Sequence, residues 1–126
     1  MAHHGRFVVA VTCIDGRIQA AVADAVRRTH GVEHVDMVTV PGVDGALREP
    51  GPARKQVLSS IRVSVDSHGS TVAVVAGHTD CAGHPVDDQR HAADVGAAAD
   101  WLRGAFPHLI VLGALVDTSS GTMRPV

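Results

Sequence analysis

The chain has 126 residues and a formal net charge of −2, from 11 basic and 13 acidic side chains with histidine counted as neutral. This length predicts one domain, residues 1–126, that can bury a core without disulfides or other covalent supports. The near-neutral charge and the presence of only Phe7, Trp101 and Phe106 as aromatic residues exclude the basic patch and the stacking platform of nucleic-acid-binding proteins.

The cysteine content and the apolar runs indicate the cellular compartment of the protein. Two cysteines are too few for the disulfide framework of a small secreted domain, and no hydrophobic signal segment precedes the first apolar run. No apolar stretch approaches the roughly 20 residues that span a bilayer. We therefore expect a cytoplasmic protein with reduced thiols and no membrane partner.

Apolar runs alternate along the chain with amphipathic segments, and Val and Ala (21 and 18 residues) dominate the apolar positions. We predict strands at residues 6–12, 35–40 and 71–76 and from 109 to 112, and helices at residues 18–30, 54–68 and 89–105. Residues 43–53 have Gly or Pro at four positions and are predicted to form a loop. The tail, residues 113–126, is predicted to form a hairpin with a short edge strand.

This alternation predicts an α/β fold with a doubly wound, mainly parallel sheet. We expect the strand order 2-1-3-4, a C-terminal antiparallel edge strand and helices on both faces. Strands 1 and 3 are then neighbours, and their following helices lie on opposite faces. A ligand crevice is expected at the carboxyl ends of these two strands.

Both cysteines follow these two strands, which makes the crevice a candidate zinc site. Cys13 ends the first apolar run, and His78 and Cys81 follow the third. A Cys₂His set suits zinc and leaves a fourth position for water or substrate. Three other interpretations are open: two buried structural cysteines, a Cys13–Cys81 disulfide, and a phosphatase-like Cys13 nucleophile. The shared location favours metal over the first, and a reducing compartment disfavours the second. Arg17 lies closer to Cys13 than such a phosphate loop requires.

Asp15 and Arg17 are the charged residues next to Cys13. The extended period of two places all three side chains on one side of their segment. Asp15 can then reach either the metal or Arg17, which would orient the carboxylate through a forked ion pair.

The pattern Cys13-x-Asp15-x-Arg17, followed by His78-x-x-Cys81, resembles the signature of β-class carbonic anhydrases. The resemblance extends from Phe7 to Val126 and identifies the chain as a short, minimal member of that family. It implies one zinc ion per chain on Cys13, His78 and Cys81, with Asp15 and Arg17 as the catalytic pair. In a closed form of the site, Asp15 would be the fourth zinc ligand.

The resemblance also implies an activity, the reversible hydration of carbon dioxide to bicarbonate by zinc-bound hydroxide. It further implies a homodimer or a larger homo-oligomer. One alternative is a catalytically silent zinc-binding module in which Asp15 closes the site. Another is a related hydrolase of a carbon dioxide analogue such as carbonyl sulfide or carbon disulfide.

Other polar residues near the predicted site have local interpretations. His84 and His91 are candidate proton shuttles, although exposed polar side chains are the favoured interpretation of both. Asp80 is expected to bind backbone amides of its own turn. Asp87 and Asp88 are expected to cap the following helix and to complement its dipole.

Overall fold

The computed structural model of the protein describes residues 5–126 and contains five strands and four helices there. The strands are β1 (Phe7–Thr12), β2 (His34–Thr39), β3 (Val72–His78), β4 (Ile110–Val116) and β5 (Met123–Pro125). The helices are α1 (Gln19–His30), α2 (Val43–Ala46), α3 (Pro52–His68) and α4 (Asp88–Ala105).

The strands form one sheet with the order β2-β1-β3-β4-β5. The pairs β1–β2, β1–β3 and β3–β4 are parallel, and β5 is antiparallel to β4. The predicted fold class, strand order and antiparallel edge strand are therefore confirmed. Because β1 and β3 are parallel neighbours, the segments that follow their carboxyl ends meet at one edge of the sheet.

The central strands β1 and β3 are buried on both faces, as their runs of Val and Ala predict. On one face α1 packs through Val22 and Val26 against side chains that include Val8 and Ala10 of β1. On the other face α2, α3 and α4 cover the larger cluster, which includes Val9 of β1. The helices that follow β1 and β3, α1 and α4, thus lie on opposite faces.

The helix ends follow the local chemistry of the sequence. Gly31 ends α1 in the left-handed region at φ 59°, and its N–H donates to the carbonyl of Arg27. Asp87 caps α4, because its carboxylate accepts the backbone N–H of Arg90 at 2.8 Å. The predicted cap of α4 is confirmed.

The prediction of a loop over residues 43–53 is wrong in part. Residues Val43–Ala46 form the short helix α2, and α3 begins at Pro52. Val43 and Leu47 are both fully buried and lie one helical turn apart, so burial of this pair offsets the cost of Gly45 in the turn. Pro52 suits the first turn of a helix because its missing N–H has no partner there in any case.

Strand β3 also extends two residues beyond its predicted end. Gly77 and His78 pair with Leu115 and Val116 of β4, which continues past residue 112. His78 therefore lies on a strand and not in a loop, so its backbone is fixed by the sheet. No helix within residues 5–126 has the length and hydropathy required to cross a membrane.

Candidate metal centre

Cys13, His78 and Cys81 meet at the carboxyl edge of the sheet. Cys13 directly follows β1, His78 is the last residue of β3, and Cys81 lies in the turn after it. The two Sγ atoms are 3.9 Å apart, and one ligand atom from each of the three residues lies within 4.8 Å of the other two. All three side chains are buried, and both cysteines are free thiols. The predicted ligand set is thus brought together in space.

The hydrogen bonds of His78 fix which of its nitrogens is available to a metal. Its Nδ1 lies 2.9 Å from the carbonyl oxygen of Thr79 and 2.9 Å from Oγ1 of Thr118. A carbonyl can only accept, so Nδ1 carries the proton and Nε2 keeps its lone pair. That Nε2 is buried and has no hydrogen-bond partner among the described residues. An unpaired buried acceptor beside two thiols is what a metal ligand requires.

Thr118 is a residue of the candidate site that the sequence reasoning missed. Its hydroxyl reaches His78 and also donates to the Thr79 carbonyl, and its backbone N–H donates to Oγ1 of Thr79 at 3.0 Å. The one signal available in the sequence was its position two residues after the end of β4, at the same sheet edge as the ligands.

The thiols favour a divalent cation on electrostatic grounds. Burial raises the pKa of the Cys81 thiol, and the neighbouring Cys13 raises it further. The backbone N–H of Gly42 donates to Cys13 Sγ at 3.3 Å, which stabilises charge on that sulfur. Two thiolates close together in a buried site require a cation between them, and the Cys₂His donor set suits zinc. The residues present therefore fit the metal that the sequence predicts.

Gly42 approaches the metal-binding turn so closely that no side chain fits there. Its backbone is left-handed at φ 53°, and a Cβ on it would lie 2.6 Å from the backbone carbonyl of Gly83. A Cβ on Gly83 would in turn lie 2.7 Å from the backbone nitrogen of Gly42. This pair, the glycine crossing, lets the N–H of Gly42 reach Cys13.

Asp15 is held by Arg17, as one of its two predicted roles requires. The carboxylate accepts the backbone N–H of Arg17 at 2.9 Å and its Nη2 at 2.7 Å, and Nε lies 3.1 and 3.2 Å from the two oxygens. These side-chain and backbone hydrogen bonds from Arg17 lower the pKa of Asp15 to about 2. Asp15 Oδ2 is also 4.0 Å from Nε2 of His78, so an ionised carboxylate lies beside the candidate metal ligands.

The prediction for Asp80 is wrong. Its carboxylate accepts Nη1 of Arg17 at 3.1 Å, and its carbonyl oxygen accepts Nη2 at 3.1 Å. Asp80 adopts a left-handed backbone at φ 56°, which short polar side chains tolerate better than most. This conformation turns the residue toward Arg17, so Asp80 helps to fix the guanidinium that holds Asp15.

The favoured interpretation of His84 and His91 as exposed side chains is also wrong. His91 is fully buried, with Nδ1 2.7 Å from Oδ2 of Asp44. His84 is half-buried, with Nε2 2.7 Å from Oδ2 of Asp94. Each imidazole is thus hydrogen-bonded to the carboxylate of a different aspartate.

The fold and the ligand group define a doubly wound α/β protein with a Cys₂His metal-binding site. The family model described as “Putative carbonic anhydrase” matches residues 3–125. The chain therefore belongs to this carbonic anhydrase family. A comparison with curated proteins gives no match.

Solved structures with the same fold are β-carbonic anhydrases. The carbonic anhydrase of Streptococcus mutans is 23% identical, with a TM-score of 0.66 over 94% of this chain and 80% of that one. One of two tetrameric β-carbonic anhydrases of Sordaria macrospora is 13% identical, with a TM-score of 0.67 over 99% and 82% of the two chains. The Coccomyxa β-carbonic anhydrase, solved with acetazolamide, is 12% identical, with a TM-score of 0.62 over 99% and 73%. At these identities the likeness concerns the fold.

Proposed function

We propose that this protein is a zinc enzyme that catalyses the reversible hydration of carbon dioxide to bicarbonate. The observation that carries the proposal is the buried Cys13–His78–Cys81 group with the Asp15–Arg17 pair beside it. When bound, zinc supplies a Lewis acid that lowers the pKa of water and so provides a hydroxide nucleophile near neutral pH. Membership of a carbonic anhydrase family supports carbon dioxide as the substrate.

Asp15 would orient the nucleophile by accepting its hydrogen bond. With a pKa of about 2, the carboxylate is ionised throughout the physiological range and can only accept. Arg17 holds both carboxylate oxygens, and Asp80 holds Arg17 in turn. An acceptor fixed in this way removes alternative orientations of the water that attacks the substrate.

The same contacts favour a catalytic site over a silent zinc module. In a silent module the Asp15 carboxylate would have to leave Arg17, giving up the hydrogen bonds from its Nε and Nη2. Hydrogen bonds between two charged groups are stronger than those between neutral groups, although solvent around the half-exposed guanidinium weakens them here. Arg17 therefore opposes closure of the site.

The direct test is the carbon dioxide hydration rate of the zinc-loaded protein, measured by stopped flow. We expect hydration above the buffer rate in the wild type, and roughly a ten- to hundredfold lower rate in Asp15→Asn at unchanged zinc content. Asp24→Asn is the matched control, because Asp24 also pairs with an arginine (Arg27, at 2.9 Å) but lies on α1 away from the ligands.

A zinc-loaded wild type that does not accelerate hydration would contradict the proposal. A second arm with carbonyl sulfide, followed by sulfide release, separates the remaining alternatives. Sulfide release without carbon dioxide hydration would assign the analogue hydrolase, and inactivity in both arms would assign the silent module.

We also propose that the chain forms a homo-oligomer. Ile110 and Leu112 of β4 expose large apolar side chains at 58% and 41%, and their spacing of two residues places both on one face of the sheet. A surface of this kind favours contact with a second copy. The Sordaria macrospora structures are described as tetrameric, which supports the proposal.

A further inference from the structure

A second group of potential metal ligands lies under the helices of the other face. It consists of Asp44 from α2, His91 from α4 and His84 from the segment between β3 and α4. Asp44 is 2% exposed and His91 is fully buried, while His84 is half-buried. One ligand atom from each residue lies within 4.8 Å of the other two, as in the Cys13–His78–Cys81 group.

One ring nitrogen of His91, Nε2, has no partner in the part of the chain that the structure describes. Nδ1 of the same ring lies 2.7 Å from Oδ2 of Asp44, so Nδ1–H donates to the carboxylate. Nε2 is buried and has no hydrogen-bond partner among residues 5–126. Nε2 lies across the ring from the carboxylate, so a cation shared with Asp44 would take the place of the Nδ1 proton.

His84 is held in the way that metal-binding histidines are commonly held. Its Nε2 lies 2.7 Å from Oδ2 of Asp94, and the other carboxylate oxygen, Oδ1, accepts Nε of Arg90 at 3.1 Å. Nε2 therefore carries the proton, and Nδ1 is left to bind a cation.

The charges of the group favour a cation. Asp94 is balanced by Arg90 and by Arg48, whose Nε lies 3.7 Å from Oδ1. Asp44 carries the remaining carboxylate, and among the described residues its ion-pair partner is His91 alone, without an arginine or lysine. A buried carboxylate costs several kcal/mol unless a positive charge compensates it. Two imidazoles and one carboxylate are donors that borderline divalent metal ions prefer.

We propose that Asp44, His84 and His91 form a second binding site for a divalent transition-metal ion such as zinc, with Asp94 orienting His84. The site would join α2, α4 and the segment between β3 and α4, which are distant in sequence. It is separate from the Cys₂His site in residues and in donor chemistry, since it contains no sulfur.

The difference in donors permits a direct test by titration of the metal-free protein with Co²⁺. Cobalt at the Cys₂His site gives thiolate-to-metal charge-transfer absorption, and cobalt at the second site gives none. We expect each chain to bind two Co²⁺ ions tightly, of which one produces the charge-transfer band. Elemental analysis of the zinc-loaded protein should likewise give two zinc ions per chain.

Variants then assign the second equivalent to these residues. Asp44→Asn and His84→Gln should each abolish Co²⁺ binding at the second site. The charge-transfer band from Co²⁺ at the Cys₂His site should keep its full amplitude in both variants. Asp94→Asn should weaken the second equivalent roughly ten- to hundredfold. The matched control is Asp36→Asn, because Asp36 also pairs with a histidine (His68 Nδ1, at 2.7 Å) but belongs to no group of three ligands in the described chain.

A single equivalent in the wild type at excess metal would overturn the proposal and assign Asp44 and His91 to a buried ion pair. Two equivalents that persist in both Asp44→Asn and His84→Gln would also overturn it, since the second ion would then bind elsewhere. The wild-type stoichiometry decides the matter even if one variant does not fold. Loss of the second equivalent in Asp36→Asn as well would count against this location.

Discussion

The hydroxyl of Thr118 should set the zinc affinity of the Cys₂His site through its contact with His78. Thr118→Val keeps the shape of the side chain and removes the hydroxyl, which lies 2.9 Å from Nδ1 of His78. The backbone N–H that donates to Oγ1 of Thr79 is retained. The substitution thus removes one of the two hydrogen-bond partners of the His78 ring and leaves the three proposed ligands in place.

The expected loss is about tenfold in zinc affinity. Removing the partner of a metal-binding histidine typically costs 10–100-fold, and the Thr79 carbonyl remains at 2.9 Å from Nδ1 as a second acceptor. The effect should therefore fall at the lower end of that range, which corresponds to about 1.4 kcal/mol. The measurement is competition for zinc with a chromophoric chelator.

The control separates the contact to His78 from a general loss of stability. Ser119→Ala removes the neighbouring hydroxyl, whose partner is Oδ1 of Asp117 at 2.6 Å, and should leave zinc affinity unchanged. Urea unfolding of the metal-free Thr118→Val protein should show a loss of about 1 kcal/mol, from the hydrogen bond to Thr79. Zinc affinity within twofold of the wild type, or an equal loss in Ser119→Ala, would refute the reasoning.

Two further predictions concern the turn after β4 and the assembly of the chain. The Ser119 hydroxyl and the N–H groups of Ser119 and Ser120 lower the pKa of Asp117, so its contribution to stability is complete above the ordinary value of 3.8 and is lost as pH falls through the lower folded-state value. Asp117→Asn should lower the urea midpoint at about pH 6 and match the wild type in strong acid; a gap that persists there would exclude this origin. Sedimentation at micromolar concentration should give a species larger than 13.1 kDa, and a monomer throughout would contradict the proposed oligomer.

The fold was predictable because its signals are local and agree with one another. Runs such as Phe7–Thr12 are apolar along their whole length, which is typical of parallel strands buried on both faces. The errors arose where tertiary contact decides the local structure. The burial of Val43 and Leu47 makes α2 a helix despite its glycine, and pairing with β4 extends β3 to His78.

The candidate metal ligands were predictable for a different reason, since chain topology alone places Cys13 and Cys81 at one sheet edge. The polar groups that hydrogen-bond to the candidate ligands were not predictable. Thr118 lies 40 residues from His78, and Asp44 lies 47 residues from His91. No local spacing connects such pairs, and a buried histidine has the same composition signal as an exposed one. The sequence therefore predicts ligands more readily than the polar partners that orient them.

The pleat of β3 explains how one strand end serves two ligand groups. Successive residues of a strand point to opposite faces, so His78 joins the cysteines while Gly77 faces the helices. A Cβ on Gly77 would lie 3.1 Å from Oδ2 of Asp44 and 2.8 Å from Val95, so glycine leaves the room that Asp44 occupies.

The glycine crossing of Gly42 and Gly83 connects the two groups. Gly42 donates to Cys13 and lies two residues before Asp44, while Gly83 stands between Cys81 and His84. A side chain at either glycine would force apart the segment that carries Asp44 and the segment that carries Cys81 and His84. The geometry of each candidate metal site therefore depends on the same backbone contact, although the two groups share no side chain.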